Sequence, residues 1–273
     1  MGVYVQIAAV LALVVIGYLT FRFNPLKLEI RSITFTAFMV MLSVVLSLLS
    51  IMIPLFGYPS LRIGLSQLPL MITGIFLGPS WAFVAGLIED VLEVLIAPAG
   101  APFFGFTLNK VLIAMIPALW MLLPKSKIKS FKYLPHLMLG VIYLTAMAFV
   151  VSIDQVKIGK EMFEVLISTK IGIFILSTLL VGFMLLMLNI IAKYFADRNY
   201  SFALTDWAIS ILWVELIVNL ILTPFWLQVM YGIPFWFNVA PRLVKGTVMI
   251  QVNIVLGFIL VNLVDKLMQG TRK

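Results

Sequence analysis

The chain of 273 residues contains no cysteine and a single histidine, His136. The absence of cysteine excludes a disulfide framework, thiolate metal sites and a cysteine nucleophile. With one histidine, a histidine-based metal site or a Ser-His-Asp triad is nearly untenable. The sequence also has no Gly-rich phosphate loop and no dinucleotide motif, so we do not expect it to hydrolyse ATP itself. We therefore predict no catalytic residues, no metal and no cofactor.

Charged residues are scarce as well. They make up 11% of the chain, against 63% hydrophobic residues, and the mean hydropathy is +1.16. A soluble domain carries about 25% charged residues. The apolar runs are also too long and continuous for an outer-membrane barrel, whose strands have about ten residues each. The composition predicts an all-α polytopic membrane protein.

Nine apolar runs are long enough to propose as membrane spans. They cover 3–21, 33–55, 63–77, 81–96, 107–123, 136–153, 165–195, 204–230 and 239–268. No small-residue cleavage site follows the first run, so we predict a retained helix and not a signal peptide. With the amino terminus outside, most of the 19 Lys and Arg residues fall inside, among them Lys125, Lys127, Lys129 and Lys132. This asymmetry predicts a multi-pass protein of the cell membrane with a cytoplasmic carboxyl terminus.

The stretch 61–110 combines apolar sequence with charge. Its first two runs are separated only by Gly78-Pro79-Ser80, which predicts a helical hairpin. The second run carries Glu89, Asp90 and Glu93. Charges at membrane depth are costly and usually face an interior cavity or one another. We therefore expect the other helices to pack around this hairpin.

The three carboxylates are not expected to serve one site together. Glu89 and Glu93 are four residues apart and share a helix face, whereas Asp90 points about 100° away from Glu89. We predict that Glu93 pairs with Lys110, which lies near the start of the next apolar run.

Two sets of short motifs carry a family resemblance. The first set is Arg62, Leu68-Pro69, the Gly74–Pro79 turn, Gly86, Asp90 and Gly105-Phe106-Thr107-Leu108. The second set is Asn219, Trp226, Tyr231-Gly232, Pro241-Arg242, Lys245 and Ile250-Gln251. Their order and spacing resemble the substrate-binding S components of energy-coupling-factor (ECF) vitamin transporters, and the closest match is the folate-specific branch. The resemblance covers about 34–124 and 206–267.

The resemblance implies a six-helix core, with about three additional membrane helices in this chain. The first four core helices would lie in 32–124 and the last two in 204–273. The additions would be an amino-terminal helix in 1–31 and an inserted helix pair in 125–203. By the same resemblance the protein is not an enzyme. It would capture folate or a related vitamin outside, and partners would drive delivery inward. These are a transmembrane coupling subunit and two ATP-binding subunits.

The sequence departs from the family pattern at two places. The small-residue face that would pack on the coupling subunit begins with Ala37 but has Met41 at its second position. Glu89 and Glu93 add charge beyond the usual single Asp, and Glu93 stands where the pattern has Gly. Two alternatives therefore stay open. One is an S component for another vitamin or precursor of thiamine, pyrimidine or riboflavin type. The other is a membrane-embedded enzyme that uses the three carboxylates.

Folate has a flat pterin with a donor and acceptor edge and a glutamate with two carboxylates. Arginine is suited to carboxylates because its planar fork can hold one bidentately. Arg62 and Arg242 are predicted for this role, the alternative being that they extend to lipid headgroups. Asp90 can accept hydrogen bonds from the pterin edge. Its alternative is an ion pair with Lys110 or Lys245.

Aromatic residues supply candidate stacking surfaces. Phe103, Phe104 and Phe106, with Gly100 and Gly105, would form a lid over a flat ligand, and Trp226, Tyr231 and Trp236 are similar candidates. The alternative for all of them is an interfacial aromatic belt, and for Asn219 a hydrogen bond between helices. The complete set predicted to bind substrate is Arg62, Asp90, Phe103, Phe106, Thr107, Asn109, Asn219, Trp226, Tyr231, Arg242 and Lys245.

Overall fold

A computed structural model describes residues 2–55, 58–96, 102–123, 133–152, 155–158, 161–164, 166–196 and 202–270. The predicted lysine cluster, 125–132, and Gly100 lie outside these residues. In the described part, six helices are long and apolar enough to cross a membrane. The protein is thus an all-α polytopic membrane protein, as predicted from its composition.

Helices form in all nine predicted runs. The first five are α1 (Gly2–Phe23), α2 (Ile30–Leu48), α3 (Gln67–Leu77), α4 (Pro79–Ile96) and α5 (Phe104–Met121). The later ones are α6 (Leu134–Ser152), α7 (Ile167–Ala196), α8 (Leu204–Val214) continued by a π-helical segment (Glu215–Leu222) and α9 (Thr223–Tyr231), and α10 (Phe235–Gly270). Two short antiparallel hairpins accompany them, β1 (Ile51–Leu55) with β2 (Tyr58–Ile63), and β3 (Gln155–Ile158) with β4 (Glu161–Glu164).

The predicted α3–α4 hairpin is confirmed. Helix α3 ends at Leu77, and Gly78 adopts a positive φ of 84° before Pro79 begins α4. Glycine has no Cβ and enters this region of φ without a steric penalty. Proline is well placed at the start of a helix because its missing N–H would have no helical partner there. The two residues together fix the turn.

The predicted spans on either side of residue 56 are too long. The run 33–55 ends as a helix at Leu48, and its last residues form β1. This strand pairs with β2, which lies between the two predicted runs and shares only Ile63 with the second. Pro54 cannot continue a helix, and the β-branched Ile51 and Ile53 favour a strand. As a result α3 has only 11 residues, about 16 Å of helix, which is too short to cross a bilayer of about 30 Å.

Helices α4 and α5 run antiparallel at the centre of the molecule and approach each other closely at Gly86. A Cβ built on Gly86 would lie 2.6 Å from the Cα of Val111. Only glycine allows this separation, as is common where membrane helices touch. The contact holds the acidic face of α4 against the residues that begin α5.

We expect Gly86→Ala to lower the free energy of unfolding by about 1–3 kcal/mol, because the added methyl overfills the α4–α5 contact. Gly140→Ala is the matched control, since a Cβ on Gly140 meets nothing within 4 Å. Replacing a helical glycine in open space should be neutral or slightly stabilising. Equilibrium unfolding of both variants in mixed micelles measures the difference, and equal effects would contradict the role given to Gly86.

The α8–α9 helix contains a π-helical segment, Glu215–Leu222. Hydrogen bonds here run from residue i+5 to residue i, and each turn holds an extra residue. The side chain of Thr223 follows the same spacing, with Oγ1 donating to the carbonyl oxygen of Val218 at 2.7 Å. Such segments occur frequently at functional sites, and this one borders the cavity described below.

Helices α1, α6 and α7 correspond to the predicted additions to a six-helix core. Helix α1 packs against α4, α5 and α9, whereas α6 and α7 pack against each other and against α10. Tyr143 of α6 and Thr178 of α7 share a hydrogen bond of 2.6 Å. Most described side chains of α7 are exposed and apolar, which fits a helix facing lipid. The division into core and additions stays a prediction.

Candidate ligand-binding site

A cavity of about 540 Å³ opens between the β1–β2 hairpin, the ends of α3–α5, and the π-helical segment with α9 and α10. Ten of the eleven residues predicted to bind substrate line it, namely Arg62, Asp90, Phe103, Phe106, Thr107, Asn109, Asn219, Tyr231, Arg242 and Lys245. The volume lies in the range of small-molecule sites, which are mainly apolar with a few convergent polar groups. The structure thus brings together residues that are up to 183 positions apart in the sequence (Arg62 and Lys245).

Lys110 is the centre of a buried ion-pair network on one side of the cavity. Its Nζ lies 2.8 Å from Oε1 of Glu89 and 2.5 Å from Oε2 of Glu93. The predicted pairing of Lys110 with Glu93 is therefore present, and Glu89 shares it because both carboxylates lie on one face of α4. Ser43 of α2 also donates to Glu89, at 3.0 Å. Glu89 itself is 0% exposed, so its charge depends entirely on these partners.

Arg62 joins the same network from β2. Its Nη1 forms an ion pair with Glu93 and donates to Oγ of Ser47 at 2.9 Å. Ser47 in turn donates to Glu93 at 2.7 Å. The hairpin is thus tied to α2 and α4 by polar contacts. Both contacts use Nη1 of the Arg62 guanidinium, whose side chain also lines the cavity.

Asp90 points away from this network, as its position on the helix predicts. Its Oδ2 accepts a hydrogen bond of 2.6 Å from Oγ1 of Thr107, the residue at the start of α5 that the motif analysis also selected. Lys110 is bonded to Glu89 and Glu93 instead. Asp90 therefore presents to the cavity a carboxylate that Thr107 orients and that can accept further hydrogen bonds from a ligand.

Three of the aromatic residues form a packed cluster beside the cavity. Phe103 lies edge-to-face with Phe106 and with Trp226, at centroid distances of 5.7 Å and 5.6 Å. The predicted loop is shorter than expected, because Phe104 and Phe106 belong to the first turn of α5. Trp236 is exposed and does not line the cavity. Phe103 and Phe106 of this cluster line the cavity, where they can support a flat ring.

Trp226 is the predicted site residue that does not line the cavity. Its Nε1 donates to Oδ1 of Asn109 at 3.0 Å, and Nδ2 of Asn109 donates to Oγ1 of Thr223 at 3.0 Å. These hydrogen bonds fix the Asn109 amide at the wall. Trp226 therefore positions a lining residue, a role that the sequence pattern does not distinguish from direct contact.

A second charged group lies on α10, where Arg242 and Lys245 line the cavity. Arg242 is 3% exposed, and Lys245 follows one helical turn later. The charges of both interact with the buried carboxylate of Glu215 in the π-helical segment. Glu215 accepts from Nδ2 of Asn219 at 2.7 Å. This hydrogen bond lies within one helix, whereas the alternative given for Asn219 was a hydrogen bond between helices. The positive charge of Arg62 also interacts with Lys245.

Sequence reasoning missed several residues of this site. Ser43 and Ser47 carry the α2 side of the ion network, yet single serines in an apolar run resemble ordinary packing residues. Their spacing of four, matched to Glu89 and Glu93, is the signal that could have found them. Glu215 lay inside a predicted span, where its charge alone marked it for attention. Leu13 lines the cavity from α1 and carried no signal.

Among the residues that the structure describes, no group of three or more His, Asp or Glu side chains is placed to hold a metal ion. Glu89 and Glu93 are instead bonded to cations. The arrangement suits reversible recognition of a molecule that has both polar and flat apolar parts. The fold and cavity together define a multi-pass membrane protein with an internal cavity lined by polar and aromatic side chains.

Comparison with known proteins shows partial similarity to a transporter. Over 102 residues the chain is 33% identical to a protein named Folate transporter FolT from Clostridium novyi (strain NT). The match covers 37% of this chain and 56% of that protein, so the chain spans little more than half the length of its curated relative. No model of a known protein family matches the chain. The match supports the resemblance to folate transporters that the motifs indicate, over part of both chains.

Proposed function

We propose that this protein is the substrate-binding subunit of an ECF-type importer for folate or a closely related vitamin. The observation that carries the proposal is the cavity, which collects ten of the eleven residues chosen from the motif resemblance. The partial identity to a protein named as a folate transporter supports the same ligand class. The protein would bind and release its ligand unchanged and would not be an enzyme.

The charges around the cavity suit a ligand with an acidic tail. Arg242, Lys245 and Arg62 lie near one another, and among the described residues Glu215 and Glu93 carry the opposite charge beside them. A glutamate tail would bring carboxylates to this group of cations. The Arg242 fork would hold one carboxylate bidentately. In the free protein, Arg62 is already bonded to Glu93, so its part in ligand binding would be through its other guanidinium nitrogens.

The opposite part of the cavity suits the pterin. Asp90 would accept from the ring N–H and the exocyclic amine, while Thr107 holds the carboxylate in position. Hydrogen bonds from a ligand to a carboxylate compensate for removing the charge from water. Phe103 and Phe106 would pack against the ring, since flat aromatic groups favour edge-to-face and offset contacts.

Transport would require partners that this chain does not supply. We propose a transmembrane coupling subunit and two ATP-binding subunits, with the cavity facing outside until ATP hydrolysis reorients the protein. Ala37 and Met41 lie on an exposed face of α2, opposite the side that carries Ser43 and Ser47. That exposed face is the proposed contact with the coupling subunit. The amino terminus would lie outside and the carboxyl terminus in the cytoplasm.

Binding of folic acid to the purified protein tests the ligand class. We expect saturable quenching of tryptophan fluorescence, because Trp226 lies directly behind the cavity wall. Riboflavin and thiamine serve as controls, since neither carries a glutamate tail. Folic acid binding without binding of the other two would support the proposal. Binding of riboflavin or thiamine alone would instead favour an S component for another vitamin, and binding of none would overturn the vitamin assignment.

A further inference from the structure

Helix α1, which a six-helix core does not need, forms part of the cavity wall. Its buried positions, Ala9, Leu13, Gly17 and Thr20, follow one another at spacings of four, four and three and therefore form one stripe. This stripe packs against α4, α5 and α9. Among these residues, Leu13 lines the cavity. The opposite face, which includes Leu11, is exposed and apolar.

The position of α1 is fixed by contacts toward its carboxyl end. A Cβ on Gly17 would lie 2.9 Å from Cζ of Phe83, so glycine lets α1 lie directly against α4. Phe21 packs edge-to-face on the same ring at 5.5 Å. Beyond the helix, Ser80 donates a hydrogen bond to the carbonyl oxygen of Asn24. These contacts hold Leu13 at a defined place on the cavity wall.

That place is the apolar end of the cavity. Leu70, Leu87 and Ile113 line it on α3, α4 and α5. Each lies three residues nearer the Gly78 turn than a polar lining residue of the same helix. These polar residues are Gln67 on α3, Asp90 on α4 and Lys110 on α5, which runs antiparallel to α4. A ligand group that passes Asp90 therefore enters a space bounded by these three side chains and by Leu13.

We propose that α1 is an integral wall of the binding site and that Leu13 sets the size of the group that fits beyond Asp90. The identity of that group rests on the proposed function, whereas the place of Leu13 on the wall does not. A side chain larger than leucine would fill the space, and a smaller one would admit a bulkier ligand. Helix α1 would then determine specificity, in addition to anchoring the chain in the membrane.

The absence of cysteine makes a direct test possible. Three single-cysteine variants are compared, Leu13→Cys at the wall, Ala9→Cys in the same buried stripe but away from the cavity, and Leu11→Cys on the exposed face. A small cationic methanethiosulfonate reagent is added, and modification is followed by mass spectrometry. We expect Leu13→Cys to react about tenfold faster than both controls, because only this thiol meets the water of the cavity. Equal or slower reaction would overturn the proposal.

Adding folic acid separates this proposal from the ligand assignment. Protection of Leu13→Cys by folic acid would support both. Rapid reaction without protection would support the place of Leu13 on the cavity wall but would count against folate as the ligand. For the size limit, Leu13→Trp should weaken folic acid binding about 10- to 100-fold by overfilling the space, while Leu11→Trp should not change it. A loss of the same size in Ala9→Leu would show that α1 acts only through helix packing, which would overturn the size limit.

Discussion

Replacing Arg242 by alanine is expected to weaken folic acid binding by about 2–5 kcal/mol, the usual effect of removing one partner of a buried charge pair. This corresponds to roughly a 30- to 4,000-fold rise in Kd. The effect should be large because Arg242 is 3% exposed and water cannot replace the lost contact. Fluorescence titration of the purified variant measures the change.

Two further variants define what the Arg242 side chain contributes. Arg242→Lys keeps the charge but removes the planar fork, and we expect an intermediate loss because lysine cannot bind a carboxylate bidentately. Arg22→Ala is the control, since Arg22 is an exposed arginine at the end of α1. Unchanged binding in Arg242→Ala, with wild-type unfolding, would exclude the arginine from ligand recognition and redirect attention to Lys245.

Replacing Lys110 by methionine is expected to lower the free energy of unfolding by about 3–5 kcal/mol, because it leaves a buried charge without its partner. The two carboxylates are not affected equally. Glu93 keeps Arg62 and Ser47, whereas the hydrogen bonds described for Glu89 leave it only Ser43. The uncompensated charge is therefore that of Glu89, which is buried completely. Equilibrium unfolding in mixed micelles measures the loss.

A second substitution should restore most of this stability. Glu89→Gln removes the uncompensated charge but keeps a group that can accept from Ser43. The double variant Glu89→Gln with Lys110→Met is thus expected to unfold close to the wild-type protein. Lys266→Ala, at an exposed position on α10, controls for the loss of a lysine. A double variant as unstable as Lys110→Met alone would show that Lys110 stabilises the protein by some contact other than Glu89.

Much of this organisation could be predicted because charge in an apolar sequence is conspicuous. Asp90 and Arg242 stood out in their helices, and the spacing of Glu89 and Glu93 separated them from Asp90 before any contact was known. The turn at Gly78-Pro79 was equally clear, since both residues have restricted roles in helix termination and initiation. The family motif Gly105-Phe106-Thr107-Leu108 added Thr107, which a polarity argument alone would not have selected.

Other features depend on tertiary packing, and no pattern in the sequence indicates them. The first strand of the β1–β2 hairpin is as apolar as α2, so hydropathy extended the predicted α2 span through β1. Leu13 resembles every other leucine of α1, and only the contact with α4 assigns it to the cavity. Trp226 matched a motif, yet the Asn109 hydrogen bond that explains its position joins residues 117 places apart.

The π-helical segment also constrains how this chain can change in length. Thr223, Leu227 and Tyr231 line the cavity from the helix that follows the segment. Deleting one residue within 215–222 would allow an ordinary α-helix to form, and everything beyond would turn by about 100° relative to α8. The three side chains would then leave the cavity, although the hydropathy of the helix would hardly differ. The number of residues in this helix is therefore as important to the cavity as their identity.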